Sequence, residues 1–182
     1  MPSVQQLMQE AIVPNVADNA AALEAILGNS ADLVMRDFSF CANPASPGLC
    51  VYLDGMADGA IVDAVLKALL IHASELSWNP EQLPTAEMLR THLMFNAAAK
   101  TCGSLQEAVF GILSGDTLVF VEGLDQAVLV SSKGWKERSV EEPSAENNVR
   151  GPRDGFTESI RTNTAHIRRR IKDPELRIDS TV

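Results

Sequence analysis

The run Thr117-Leu118-Val119-Phe120-Val121-Glu122-Gly123-Leu124-Asp125-Gln126-Ala127-Val128-Leu129-Val130-Ser131 holds two short apolar segments separated by a turn. Thr117 to Val121 and Ala127 to Ser131 have strand length and are rich in β-branched residues, while Glu122, Gly123, Leu124 and Asp125 supply turn formers. An antiparallel hairpin is predicted.

Just upstream, Ser104 followed by Glu107 is a capping-box pattern ahead of Ala108, Val109, Ile112 and Leu113, and Gly115 closes that helix. Pro84 and Thr85 open another helix through Met88, Leu89, His92 and Leu93. Gly59 to Glu75 repeats apolar residues at Ile61, Val62, Val65, Ala68, Leu69 and Ala73, with Asp54 or Asp58 placed to cap its start. Nearer the N-terminus, Asn19 to Leu27 is an amphipathic helix stopped by Gly28. Asp32 to Phe40 reads as a strand, and Leu49 to Leu53 is a continuous apolar run of strand length. The intervening loop contains Pro44, Pro47 and Gly48 and makes the two runs a hairpin or a neighbouring pair.

These elements predict an α/β fold: a small mixed sheet of about four strands packed with helices, followed by an extended arm and a basic amphipathic helix. The α/β subdomain is placed at residues 1–131 and the polar arm at 132–153, where Gly134, Pro143, Gly151 and Pro152 prevent a long regular element. Residues 154–182 form the helix and a linker. In that helix Phe156, Ile160, Ile167 and Ile171 are read as one apolar face, with Arg161, Arg168 and Lys172 elsewhere.

Charge separates the same parts. Residues 1–131 carry 15 acidic and 4 basic side chains, whereas residues 132–182 carry 9 acidic and 11 basic. The overall charge of −9 argues against nucleic acid as a partner, because neutralising phosphates needs a surplus of lysine and arginine. The best apolar run, Ala57 to Ala73, is interrupted by Asp58, Asp63 and Lys67 and does not make a membrane span. Met1 to Glu10 lacks the basic start and apolar core of a secretory signal, so a soluble chain of cytoplasmic origin is expected.

Catalytic and metal constellations are incomplete. His72, His92 and His166 fall on separate helices without ligand spacing, so no metal site is expected. The glycines make no phosphate-binding loop, and no cofactor is expected. Asp54, Asp58 and Asp63 sit where a strand enters a helix, a place for catalytic or magnesium-binding carboxylates, but capping and solvation explain them. Cys41 and Cys50 flank the Pro/Gly-rich loop and are placed to face each other across a strand pair, reduced. Cys102, before a helix N-terminus, has the position of an activated nucleophile, but no base accompanies it and a structural thiol is the preferred reading. Arg150-Gly151-Pro152-Arg153, followed by Phe156, joins fixed backbone to forked guanidinium donors that suit carboxylates or phosphates. Glu141, Glu142, Glu146 and Glu158 are near enough in sequence to pair with them, and pairing or a subunit contact is rated above ligand binding. The Arg168-Arg169-Arg170 run reads as a solvated helix face, with anionic lipid as the alternative.

Arg138-Ser139-Val140-Glu141-Glu142-Pro143, Val149-Arg150-Gly151-Pro152-Arg153-Asp154-Gly155-Phe156-Thr157-Glu158, Ile160-Arg161-Thr162-Asn163 and Ile167-Arg168-Arg169-Arg170-Ile171 together closely resemble the GerA family of spore germination proteins. Leu27-Gly28-Asn29-Ser30-Ala31-Asp32-Leu33-Val34 and Val51-Tyr52-Leu53-Asp54-Gly55 resemble the family's first helix-to-strand turn and second strand; Thr164 and His166 stand where the family shows aliphatic residues. The resemblance implies a non-enzymatic, cytosolic N-terminal domain of a nutrient germinant receptor A subunit in the spore inner membrane, with a second subdomain beyond residues 173–176. It implies a permease-like B subunit and a lipoprotein C subunit as partners, self-association, and a role in assembly and in relaying the nutrient signal to ion release. Arg138, Glu142, Arg150, Gly151, Pro152, Arg153, Phe156, Arg161 and Asn163 are the candidate interaction residues. The alternatives are a module that binds the nutrient small molecule itself, with Arg150 and Arg153 near a cleft between two subdomains, and the same domain of the stage V sporulation AF paralogue.

Overall fold

The computed structural model describes residues 2–43, 46–72, 84–93, 98–134 and 156–180. Its centre is the expected hairpin: β4 (Thr117–Val121) and β5 (Ala127–Val130) pair antiparallel with Thr117 opposite Val130 and Val119 opposite Val128. The turn between them places Gly123 at φ 85°, a conformation that side chains with a Cβ resist. β1 (Leu33–Ser39) and β2 (Pro47–Leu53) make the second hairpin, and β2 also pairs with β4. The edge beyond β5 is taken by β3 (Ala99–Cys102), so the sheet runs β1-β2-β4-β5-β3 with every pairing antiparallel. β3 is a fifth strand beyond the four read from sequence. Its four residues, Ala99-Lys100-Thr101-Cys102, are too few and too mixed to show a pattern without the neighbour that holds them.

Helices cover both faces of this sheet. On one face Leu49, Val51, Leu53, Leu118, Phe120 and Leu129 pack against α2 (Val16–Leu27) and the helix Leu105–Leu113. On the other, Cys50, Val119, Val121, Val128 and Val130 meet α3 (Gly59–Lys67) and α4 (Ala86–Met88). The helix Leu105–Leu113 is α5 and Ile160–Arg170 is α6. Coverage from both sides explains why β4 and β5 are apolar at consecutive positions rather than alternately: all nine of their residues are buried, and all but Thr117 are apolar. Each fully buried aliphatic or aromatic side chain there contributes about 1.5–3 kcal/mol to stability.

Caps set the helix starts. Asp58 accepts the Ala60 N–H at 2.8 Å at the head of α3, and Ser104 accepts the Glu107 N–H at 3.3 Å at the head of α5. Thr85, rather than Pro84, caps α4. A short helix not read from sequence, α1 (Val4–Met8), has a reciprocal capping box between Ser3 and Gln6. α3 is regular to Lys67 and widens into a π-turn over Ala68–His72; residues 73–75 of the expected helix lie outside the described residues. α4 likewise continues as a π-turn over Leu89–Leu93. Cys41 and Cys50 do not face each other: Cys50 stands opposite Arg36, and Cys41 lies past the end of β1 at φ 54°. Among the described residues no helix is long and apolar enough to cross a membrane.

Candidate functional site

Three turns at one side of the α/β unit receive the C-terminal segment. The first is the end of α2, where Gly28 takes φ 65° and donates its N–H to the Glu24 carbonyl at 2.8 Å. Helix ends leave carbonyls without partners, and α2 has no basic residue in its last turn to serve them. Arg177 does so from far along the chain, its Nη2 donating to the Ile26 carbonyl at 2.9 Å while its guanidinium lies over Gly28. A Cβ on Gly28 would lie 2.0 Å from Arg177 Nε.

The second turn, Ser30 to Asp32, holds the deepest contact. Arg168 is 2% exposed and donates through Nε to Asp32 Oδ2 at 2.8 Å and through Nη2 to Asp32 Oδ1 at 2.9 Å. Nη2 also reaches Ser30 Oγ at 2.8 Å, and Nη1 donates to the Leu176 carbonyl at 3.0 Å. Ser30 Oγ donates to Asp32 Oδ1 at 2.7 Å and accepts the Ile178 N–H at 2.9 Å, while the Ala31 N–H donates to the Ile178 carbonyl at 2.7 Å. Burial pushes the Asp32 carboxyl up, but the hydrogen bonds from Arg168 and Ser30 and the charge of Arg168 outweigh it. The net result holds Asp32 below the usual carboxylate range, ionised at neutral pH.

The third turn follows β2. Asp54 Oδ2 accepts from Arg161 Nη2 at 2.8 Å, and Gly55 at φ 84° lies beneath Arg161 and Ala165. This ion pair is largely exposed and contributes at most about 1 kcal/mol.

Of the residues singled out from sequence, Arg138, Glu142, Arg150, Gly151, Pro152 and Arg153 lie outside the described residues, as do Glu141 and Glu146. Arg161 joins the junction. Asn163 pins the approach to α6, its Oδ1 accepting the Thr157 N–H at 2.6 Å and its Nδ2 donating to the Thr157 carbonyl at 2.7 Å. Phe156 is 75% exposed and, among the described residues, belongs to neither core cluster. The expected apolar face of α6 is corrected: its buried residues are Ala165 and Arg168, whereas Ile160 is 79% and Ile171 48% exposed. Arg168 is therefore not part of a solvated face. Hydrophobic periodicity misplaced it because a carboxylate supplied by a distant turn makes burial of this guanidinium favourable.

An open groove of about 780 Å³ lies between α1, α5 and the linker, lined by Gln5, Met8, Gln106, Phe110, Lys172 and Pro174 among others. None of the described arginines lines it. Cys102 is buried, and burial pushes its thiol up to about 12, opposite to the lowering that a nucleophile needs. Native Cys102 is expected to resist iodoacetamide at pH 8 at least tenfold more than a free thiol, as followed by mass spectrometry. Reaction at the free-thiol rate would contradict this burial.

The sequence profile described as Bacillus/Clostridium GerA spore germination protein matches residues 21–182. The chain is 32% identical over 173 residues to the uncharacterized membrane protein YfkQ of Bacillus subtilis (strain 168), covering 93% of this chain and 32% of that protein. It is 28% identical over 168 residues to spore germination protein KA of the same organism, covering 92% and 30%. The chain thus spans about a third of the length of these relatives. A crystal structure of the N-terminal domain of the A subunit of the Bacillus megaterium spore germinant receptor GerK3 matches with a TM-score of 0.72 and 25% identity, over 95% of this chain and 61% of that one.

Proposed function

We propose that this chain, which belongs to the GerA family of spore germination proteins, serves as the N-terminal α/β domain of a germinant receptor A subunit and acts in receptor assembly and signal relay. The observation that supports this most is the junction. The family-like blocks at residues 27–34 and 51–55 supply Ser30, Asp32, Asp54 and Gly55, and the family-like C-terminal helix supplies Arg161 and Arg168 that meet them. Residues that carry the family resemblance in two distant stretches therefore act on one contact, which positions the linker rather than a reacting group.

In this reading the domain stands on the cytosolic side of the spore inner membrane, and the linker leads to a second subdomain. Its partners are the permease-like B subunit, the lipoprotein C subunit and further copies of the A subunit. Nutrient binding elsewhere in the receptor is passed through the junction to ion release, with no catalytic step in this domain.

The Arg150 and Arg153 motif is assigned to a subunit contact. Replacing both by alanine in the intact protein is expected to reduce nutrient-triggered germination at least tenfold with the protein level and the thermal stability of the isolated chain unchanged. Normal germination of such spores sinks the assignment. The groove beside α5 favours a second reading, in which a nutrient small molecule binds this domain directly. A saturable, stereospecific thermal shift with amino acids, sugars or nucleosides supports that reading, and its absence in the folded chain removes it.

A further inference from the structure

We propose that Thr157–Ile178 is a releasable latch: it leaves the α/β unit as one piece, with the sheet intact, when Arg168 withdraws from Asp32 and Ser30. This goes beyond the relay reading, because release is a property of the chain whether or not germination uses it.

The contact is polar where a permanent helix packing would be apolar. α6 inserts Ala165 and Arg168, while Phe156, Ile160 and Ile171 face outward. Ile167, Leu176 and Ile178 are half-buried, and only Ala165 is withdrawn from the core cluster on undocking, so the hydrophobic effect opposes release less than it would for a helix packed through a fully apolar face. Ala165 is the one α6 side chain in the core cluster formed by Leu23, Ile26, Leu53 and Met56, residues that belong to the α/β unit itself.

The polar contacts also share atoms, which couples them. Ser30 Oγ serves both Arg168 Nη2 and the Ile178 N–H, and Arg168 Nη1 holds the Leu176 carbonyl. Arg177, the next residue, holds the end of α2. Loss of the Arg168 contact thus removes helix and linker together. Asp32 and Ser30 lie in a turn, where water can replace Arg168 once the segment has gone, so the open form leaves no charge stranded in the core.

Native-state hydrogen exchange of the chain tests this. Amides held within the segment, such as Ile171 on the Ile167 carbonyl, are expected to exchange about a hundredfold faster than those of Val119 and Val128 in the sheet. In Asp32→Asn they are expected to speed up about tenfold further while the sheet amides keep their rates. A single common rate for segment and sheet in the wild type, or equal acceleration of both in the variant, overturns the latch. The wild-type comparison stands even if the variant does not fold. Germination of Asp32→Asn spores with normal protein levels is a separate readout: unchanged germination with a confirmed latch counts against the relay reading alone.

Discussion

Replacing Arg168 by alanine is expected to weaken docking of the C-terminal segment by about 3–5 kcal/mol, the usual effect of breaking a buried ion pair from one side. Asp32, 7% exposed, would keep its charge and lose three of its contacts' worth of order around it: both guanidinium bonds directly, and the shared Ser30 geometry indirectly. The docked state is what suffers. Once the loss exceeds the free energy of docking, the segment leaves, and further loss no longer reaches the sheet. Trypsin should then cut at Arg169, Arg170 and Lys172 at least tenfold faster than in the wild type, while the melting temperature falls by less than 3–5 kcal/mol of global destabilisation would produce. Removing Asp32 as well, in Asp32→Ala/Arg168→Ala, should recover part of the docking, because no unpaired carboxylate remains buried. Unchanged cleavage in the single variant would show that the ion pair does not hold the segment.

Gly55→Ala is expected to have the second large effect, by a different route. At φ 84° an alanine is strained by about 1–3 kcal/mol wherever it stands. Its Cβ would also lie 2.9 Å from the Arg161 carbonyl oxygen and 2.9 Å from Arg161 Cγ. A backbone oxygen inside a helix does not swing aside as a side-chain tip does, so α6 itself must move. Gly59 supplies the control: a Cβ there meets nothing within 4 Å, and Gly59 is helical, so Gly59→Ala should leave stability unchanged or raise it. Circular-dichroism melts of the two variants compare the effects directly. Equal melting temperatures would remove the claim that Gly55 is a seat for α6.

Both effects arise at a junction whose two sides are legible in the sequence only as separate stretches. Leu27 to Val34 and Val51 to Gly55 were marked by family resemblance, and so was the Arg168 run. Nothing in the sequence joined them, since the Asp32–Arg168 contact spans 136 residues. Periodicity also pointed the wrong way: of the regular stripe Ile160, Ile167 and Ile171 only Ile167 is half-buried, and the helix turns its alanine and arginine inward.

By itself the sequence determined the parts whose causes are local. The hairpin of Thr117 to Val130 follows from two apolar runs and the turn around Gly123, and the starts of α3 and α5 follow from Asp58 and Ser104 reaching amides two or three residues on. The tertiary structure alone decided the place of β3, whose four residues become a strand because β5 offers a free edge, and the side of α6 that faces inward. A guanidinium is costly to bury anywhere except beside a preformed carboxylate. Whether Arg168 belongs to the surface or the interior was therefore settled by where the fold carries Asp32.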